Sequence, residues 1–369
     1  MSVGAGDRIY LRRTYELAER GRGSTAPNPC VGSVLVRDAT TIGEGFHHVR
    51  GAAHAEIEAL RAGRQIGADA RGATLYVSLE PCLHQGATPS CAQAVIDAGI
   101  GRVVVGALDP NPEAAGGAER LRAAGIDVDV AGDAAARSLI EDFTVALTAV
   151  RPYVAVKLAA SLDGYIASAP GSEWLTGSAA RDFVRELRVA HDAVLVGAKT
   201  VRIDDPQLTV RPPRARRRPY RRVVACVSKP LLAQARVFAP VDGYERTIVL
   251  VPPANRERFS ELDGVADIVP VGDEAATGLD VAAALVELKA RGITSVLCEG
   301  GPMLAAALIE GGLVDRLYWL VAPRLLANPQ AVPALTRTNL AGTALEFDRV
   351  EQLGADVLLS ARIVATKGG

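Results

Sequence analysis

Long apolar runs are missing from this chain of 369 residues. No stretch of about 18 uncharged apolar residues occurs, so no transmembrane helix is expected. The opening residues, Met-Ser-Val-Gly-Ala-Gly-Asp-Arg, lack the apolar core of a secretory signal, and the chain reads as cytoplasmic. Cysteine is sparse and odd in number, five in all, which argues against a disulfide framework and for reduced thiols. Charge of either sign is not in excess: the net value of −1 gives no global field for nucleic acid or an anionic membrane. Aromatic residues make up only 4%, few for the stacking that single-stranded nucleic acid demands. No repeat of 20–50 residues and no Gly-x-Gly-x-x-Gly after a strand occurs, so neither a repeat array nor a Rossmann unit has support.

What is present is apolar material in half the residues, enough for two buried cores at this length. Helical and strand-like patterns alternate. Helices are expected over 8–20, from 54 onward, over 91–98, 118–124 and 134–149, with strands over 31–37, 73–79, 102–108 and 126–130. Gly125 stands where a helix C′ glycine belongs. Arg151-Pro152 interrupts the pattern, because a proline disfavours helix at the residue before it, and this sets an expected domain boundary at 150/151. Beyond it, strands are expected near 153–159, 193–197, 222–227, 246–251, 294–298 and 315–322, and helices near 178–190, 280–290 and 302–310. Such alternation predicts layered α/β domains. Cys30, Cys226 and Cys298 read as small buried hydrophobes. The run RARRRPYRR (214–222), with six arginines in nine positions, reads as a solvated loop rather than a nucleic-acid patch.

One constellation carries chemistry. His54 and Glu56 stand two residues apart at a helix start, a spacing that lets both lean into one pocket. Cys82 follows Pro81 at the end of the strand ATLYVSL, and Cys91 opens the next helix. Helix N-terminal N–H groups favour thiolate, which suits metal ligation. A catalytic zinc takes three protein ligands and leaves one position open, and a neighbouring carboxylate that is not a ligand shuttles protons. Zinc nucleobase deaminases carry H-x-E followed by P-C-x-x-C. Here H-x-E and P-C match, while the second cysteine comes nine positions after the first.

The segments APNPCVGSVLV (26–36), HAEIEAL (54–60), EPCLHQGATPSC (80–91) and DPNP (109–112) resemble the deaminase half of the bifunctional deaminase/reductase of riboflavin biosynthesis. That family's C-x-H-x-G-R-T-P-P-C has the long cysteine spacing seen here. Ala87 replaces the usual basic residue and Ser90 a proline. The resemblance implies a cytidine-deaminase-like three-layer domain, zinc ligands at His54, Cys82 and Cys91, and Glu56 as proton carrier. It also implies a substrate hydrogen bond from Asn28, with His84 a further candidate. His47 and His48 read as surface residues near that site.

In the second half, VKLAASLDG (156–164), SEWLTGSAARDFVRELR (172–188), VGAKTVRIDDPQLTVR (196–211) and CEGGPMLAAALIEGGLVD (298–315) recur in the order of the same family's reductase half. The last of these puts a Gly-Gly-Pro turn between strand and helix, where backbone N–H groups can approach an anion. The resemblance implies a dihydrofolate-reductase-like domain. Carried over, Ser172, Arg188, Leu208, Arg211 and Glu299 would contact a ribosyl-phosphate substrate, the two arginines suiting phosphate. Trp174, Thr200, Asp204, Gly301, Pro302, the backbone at Ala159 and Ser228 would contact NADPH, and Lys157 and Asp205 lie in the same patches.

The implied activities are zinc-dependent removal of an exocyclic amine from a diaminopyrimidinone ribosyl 5′-phosphate, then NADPH-dependent reduction of ribosyl to ribityl. The implied partners are small molecules only, with a homodimer formed through the C-terminal domain. Three alternatives stand beside this reading: a nucleic-acid deaminase with an appended domain, a zinc-stabilised binding module closed by a fourth ligand, and a deaminase whose second half serves only dimerisation.

Overall fold

The computed structural model describes residues 3–83, 90–169, 174–214, 216, 218–336, 340 and 343–364. Its chain divides into two compact units, Met1–Thr148 and Ala149–Gly369. No helix among the described residues is long and apolar enough to cross a membrane.

The first unit runs α1 (Ala5–Glu19), β1 (Gly32–Arg37), β2 (Thr40–Phe46), α2 (Ala55–Gln65), β3 (Thr74–Leu79), α3 (Cys91–Asp97), β4 (Arg102–Ala107), α4 (Gly117–Ala123), β5 (Asp127–Val130), α5 (Ala134–Leu139) and α6 (Glu141–Thr148). Its sheet has the order β2-β1-β3-β4-β5. β1 pairs antiparallel with β2 and with β3, while β3, β4 and β5 are parallel. Successive strand side chains point to opposite faces, and the two core clusters show it. Val34, Val36, Tyr76 and Val104 pack with Leu11 and Leu17 of α1. Leu35, Leu75, Val77, Val103 and Val105 pack on the other face with Leu60, Val95 and Leu121 of α2, α3 and α4. Helix, sheet and helix therefore make three layers. Gly45 lets α2 lie close on β2: a Cβ there would come within 2.5 Å of the Ala55 carbonyl oxygen and of Ala59 N. The helix expected over 134–149 is broken, because Ile140 leaves the helical conformation to bury itself against Leu79, Ala107 and Ala136.

The second unit runs β6 (Tyr153–Ser161), β7 (Tyr165–Ala167), α7 (Ser178–Ala190), β8 (Ala193–Gly197), α8 (Ala198–Asp204), β9 (Arg221–Ala225), β10 (Thr247–Val251), β11 (Ala266–Pro270), α9 (Val281–Ala290), β12 (Ser295–Cys298), α10 (Pro302–Glu310), β13 (Arg316–Ala322), β14 (Val332–Pro333), β15 (Ala344–Leu353) and β16 (Asp356–Val364). A nine-stranded sheet has the order β11-β10-β9-β8-β12-β6-β13-β16-β15. The seven strands from β11 to β13 are parallel, and the β15–β16 hairpin closes the far edge antiparallel. Parallel strands are covered on both faces and so read as continuous apolar runs. In β8, Leu195 packs with α9 and α10 residues such as Leu285 and Leu308, while Val194 and Val196 join Phe259 and Leu262 on the opposite face. The chain begins in the middle of this sheet with β6, moves outward through β8 to β11, then returns to insert β12 between β8 and β6. Such a reversal of strand order leaves a crevice at the carboxyl ends of the strands.

The arginine run is not a solvated loop throughout. Arg216 pairs with Asp192 at 2.6 Å, both side chains being almost wholly buried. Arg222, in β9, is 2% exposed. Strand pairing of β9 with β8 carries the end of the run into the sheet, where the alternation of side chains forces Arg222 inward.

Candidate functional sites

Three elements converge at one end of the first unit. His54 is the N-cap of α2, Cys91 is the first residue of α3, and Cys82 lies just beyond β3. The Ser90 hydroxyl accepts the Gln93 N–H at 3.2 Å, so the serine that replaces a proline caps α3 and fixes where Cys91 begins. His54 Nδ1 lies 3.1 Å from Cys91 Sγ and 3.5 Å from Cys82 Sγ. The three ligand atoms are all within 4.8 Å of one another. Zinc bond lengths in tetrahedral geometry require N···S separations of about 3.5 Å. The donor set and its spacing thus fit one zinc ion, bound through Nδ1 of a neutral imidazole.

The electrostatics agree. A hydrogen bond from Cys91 is the main reason the Cys82 thiol drops to about 4, and sharing that hydrogen pushes Cys91 up. The hydrogen bond to Cys82 raises His54. A cation takes the place of the shared proton. Glu56, on the first turn of α2, is 3% exposed. Burial, and then the charge of Cys82, push its carboxyl up to about 7. A carboxyl near neutrality can both take and give a proton.

Two supports escaped the sequence reading. His47, expected on the surface, is buried. Its Nδ1 lies 3.1 Å from the Ala53 carbonyl oxygen and so carries the proton, which leaves Nε2 to accept from the Asn28 side-chain amide at 3.4 Å. The β2 strand ends at Phe46 and carries His47 under the site, against the edge of the His54 ring. Burial holds His47 below its ordinary pKa, consistent with a neutral ring. His48 is exposed, as expected. The buried Glu80 accepts from the backbone N–H groups of Asp109 at 3.0 Å, Gly116 at 3.2 Å and Ala118 at 2.8 Å. It ties the DPNP loop to the strand that delivers Cys82. Gly117 completes that contact, since a Cβ there would sit 1.7 Å from the Pro81 carbonyl oxygen. An acidic residue just before Pro-Cys was the available signal. His84 and Ala87 lie outside the described residues.

In the second unit a cleft of about 1690 Å³ opens at the carboxyl ends of β6, β8, β9 and β12. It brings together Lys157, Ala159, Trp174, Arg188, Thr200, Asp204, Leu208, Arg211, Ser228, Glu299, Gly301 and Pro302. Asp205 does not line it; this residue caps α8 at φ +38° and accepts the Arg236 N–H at 2.8 Å. Ser172 lies outside the described residues. Lys157 and Ala159 alternate onto the same face of β6.

Arg188 grips Glu299 with two hydrogen bonds, Nε to Oε1 at 2.5 Å and Nη2 to Oε2 at 3.0 Å, and donates Nη1 to the Thr209 carbonyl at 3.0 Å. Burial, the largest single influence, would raise Glu299, but the charge and hydrogen bonds of Arg188 together with the charge of Lys157 outweigh it and hold the carboxyl low. Burial also lowers the Lys157 amine, against the pull of Glu299. Arg211 is exposed and donates Nε to Thr209 Oγ1 at 3.1 Å. Leu208 is buried at φ +55°, a left-handed conformation costly for leucine. Trp174 is 74% exposed, which excludes a core anchor. Gly301 is the N-cap of α10 with Pro302 at its first position, and a Cβ on Gly301 would lie 3.6 Å from Thr200 Oγ1. Backbone N–H groups, a hydroxyl and an exposed indole suit the pyrophosphate and ring system of a nicotinamide dinucleotide.

A deaminase-type zinc centre in one unit and a reductase-type cleft in the other define a bifunctional deaminase–reductase. Residues 6–107 match the cytidine and deoxycytidylate deaminase zinc-binding region, and residues 152–359 match the RibD C-terminal domain. The riboflavin biosynthesis protein RibD of Aquifex aeolicus is 37% identical over 360 residues, covering 96% of this chain and 97% of that protein. Its Escherichia coli counterpart is 37% identical over 372 residues, covering 96% and 98%. Among solved structures, the diaminohydroxyphosphoribosylaminopyrimidine deaminase/5-amino-6-(5-phosphoribosylamino)uracil reductase of Thermotoga maritima is similar, with TM-score 0.81, 34% identity and coverage of 96% and 98%. So is Acinetobacter baumannii RibD, with TM-score 0.77, 36% identity and coverage of 98% and 99%. The chain belongs to the RibD family and is a deaminase and reductase of riboflavin biosynthesis.

Proposed function

We propose that the first unit hydrolyses the exocyclic amine of 2,5-diamino-6-ribosylamino-4(3H)-pyrimidinone 5′-phosphate. The second then reduces the ribosyl group with NADPH to give 5-amino-6-ribitylaminouracil 5′-phosphate. The observation that carries the first step is the meeting of His54, Cys82 and Cys91 beside a buried Glu56.

His54, Cys82 and Cys91 would hold one zinc ion per chain, which supplies the Lewis acidity that makes water a nucleophile near neutral pH. Glu56 takes the proton of the attacking water and gives it to the ring nitrogen, then takes the proton of the newly added hydroxyl and passes it to the amine, which leaves as ammonia while the carbonyl forms. Its burial keeps the carboxyl basic enough for the first transfer and acidic enough for the second. Asn28 orients the pyrimidine, and His47 holds the Asn28 amide in place.

In the second unit, NADPH supplies a hydride. Trp174, Thr200, Asp204, Ser228, the Ala159 backbone and the Gly301-Pro302 turn would bind it. Arg211, held by its hydrogen bond to Thr209, reaches for the 5′-phosphate, while the Arg188–Glu299 pair and Lys157 flank the sugar. Leu208 offers its strained backbone to the substrate, and Ser172 would contact it as well. A homodimer through this unit is part of the reading. The edge strand β15, where Phe347 is 53% and Val350 67% exposed, supplies an apolar surface for it.

The test is zinc content and ammonia release for the wild type and for Glu56→Gln, with NADPH oxidation followed on the deaminated product. The variant should keep its zinc and lose about 10²–10⁴-fold in deaminase turnover. Full turnover in Glu56→Gln would refute the role given to this carboxyl, and absence of NADPH oxidation in the wild type would refute the second step.

A further inference from the structure

The arginine run contributes to neither site described above, yet most of its described side chains are engaged inside the second unit. Arg216 lies over the Tyr220 ring at 4.6 Å. Tyr220 stacks on Tyr244, with centroids 5.1 Å apart and planes 26° apart. Arg222 lies over the Tyr244 ring at 5.5 Å. Two arginines thus bracket two stacked tyrosines, an arrangement in which each guanidinium meets the negative face of a ring. The backbones are joined as well: Tyr220 N donates to the Gly243 carbonyl at 2.9 Å and Glu245 N to the Tyr220 carbonyl at 3.2 Å. The far end of the column is anchored, because Arg216 is paired with the buried Asp192.

The column has one polar tip that points at the cleft wall. The Tyr244 hydroxyl oxygen accepts the Val210 N–H at 2.7 Å. Val210 is buried, and Tyr244 does not itself line the cleft. On either side of Val210 stand the groups assigned to the substrate. Leu208 holds its left-handed backbone, Thr209 receives Arg188 on its carbonyl and Arg211 on its hydroxyl, and Arg211 opens into the cleft. Segment 208–211 is therefore held from the cleft side by Arg188 and from behind by Tyr244.

We propose that Tyr244 is a positioning residue for the reductase substrate: through the Val210 N–H it fixes segment 208–211, and with it the Arg211 guanidinium that meets the phosphate. This rests on the assignment of the cleft to a ribosyl phosphate. The consequence is selective. Losing the hydroxyl leaves a buried N–H without an acceptor and frees the segment, which weakens substrate binding. The stack, the cofactor side of the cleft and the first unit keep their contacts.

The experiment is Tyr244→Phe in the full chain, which keeps the ring and its stacking. The expected result is a rise of about five- to tenfold in KM for the deaminated substrate, the lower part of the range for an orphaned buried donor. The reductase kcat should change less than twofold, with KM for NADPH and ammonia release unchanged. Calorimetric titration of ribose 5-phosphate should show the same five- to tenfold loss of affinity. An unchanged substrate KM, or an equal rise in KM for NADPH, overturns the proposal. A wild type that oxidises no NADPH and binds no ribose 5-phosphate overturns the reading of the cleft instead.

Discussion

Replacing Arg188 by Met tests how far the second unit depends on one desolvated ion pair. The Arg188 side chain is 19% and the Glu299 side chain 8% exposed, and the two share two hydrogen bonds. Truncating one partner of a buried pair costs about 3–5 kcal/mol, because the other charge is left without compensation. The residual exposure of Arg188 and the neighbouring Lys157 place the expected loss near the lower end, about 3 kcal/mol at pH 7. Removing both charges in Arg188→Met/Glu299→Leu should recover most of that loss. The pH dependence has a defined sign. Glu299 is held below its ordinary value of 4.5, so in the wild type its contribution is present above that value and is lost as pH falls through the folded pKa. The variant lacks the charge that holds Glu299 low. The gap between wild type and variant should therefore be widest near pH 7 and narrow toward pH 4. Urea unfolding followed by tryptophan fluorescence isolates the right unit, since both tryptophans, Trp174 and Trp319, belong to Ala149–Gly369. A loss under about 1 kcal/mol at pH 7, or a gap that does not change between pH 4 and 8, would refute the argument that burial makes this pair strong.

Two further outcomes follow from the first unit. Cys91→Ser should purify with little or no zinc by elemental analysis and release no ammonia, while NADPH oxidation on the deaminated substrate persists, because the cleft shares none of its residues with the metal centre. Glu80→Gln replaces a carboxylate that accepts three backbone N–H groups with an amide that has one oxygen, so at least one donor loses its acceptor. A destabilisation of about 1–3 kcal/mol is expected, read as loss of ammonia-release activity at lower urea concentration, with tryptophan fluorescence unchanged.

The layered α/β architecture was legible because buried parallel strands announce themselves as apolar runs such as VLVG and SVLC, and because Gly and Pro punctuate them. The His54–Cys82–Cys91 grouping was legible for a chemical reason: few pairings of thiol, imidazole and carboxylate at strand ends and helix starts have another use. The β15–β16 hairpin was missed because Ala344–Leu353 is an edge strand, with charged residues interleaved among exposed apolar ones, so it lacks the pattern of a buried strand. The single helix expected over 134–149 failed at Ile140, where burial of one side chain outweighed helical continuity.

By itself, then, the amino-acid order determined which residue types could bind metal, where strands and helices alternate, and that two cores would form. These are local properties, set by side-chain chemistry and by periods of a few residues. The tertiary structure alone decided that His47 is buried behind Asn28, that Glu80 braces the DPNP loop, and that an arginine run is folded into a column of stacked rings. It also decided that Arg188 faces Glu299 across 111 residues of sequence. Those outcomes depend on which groups lose water together, and a linear order does not state who the neighbours will be.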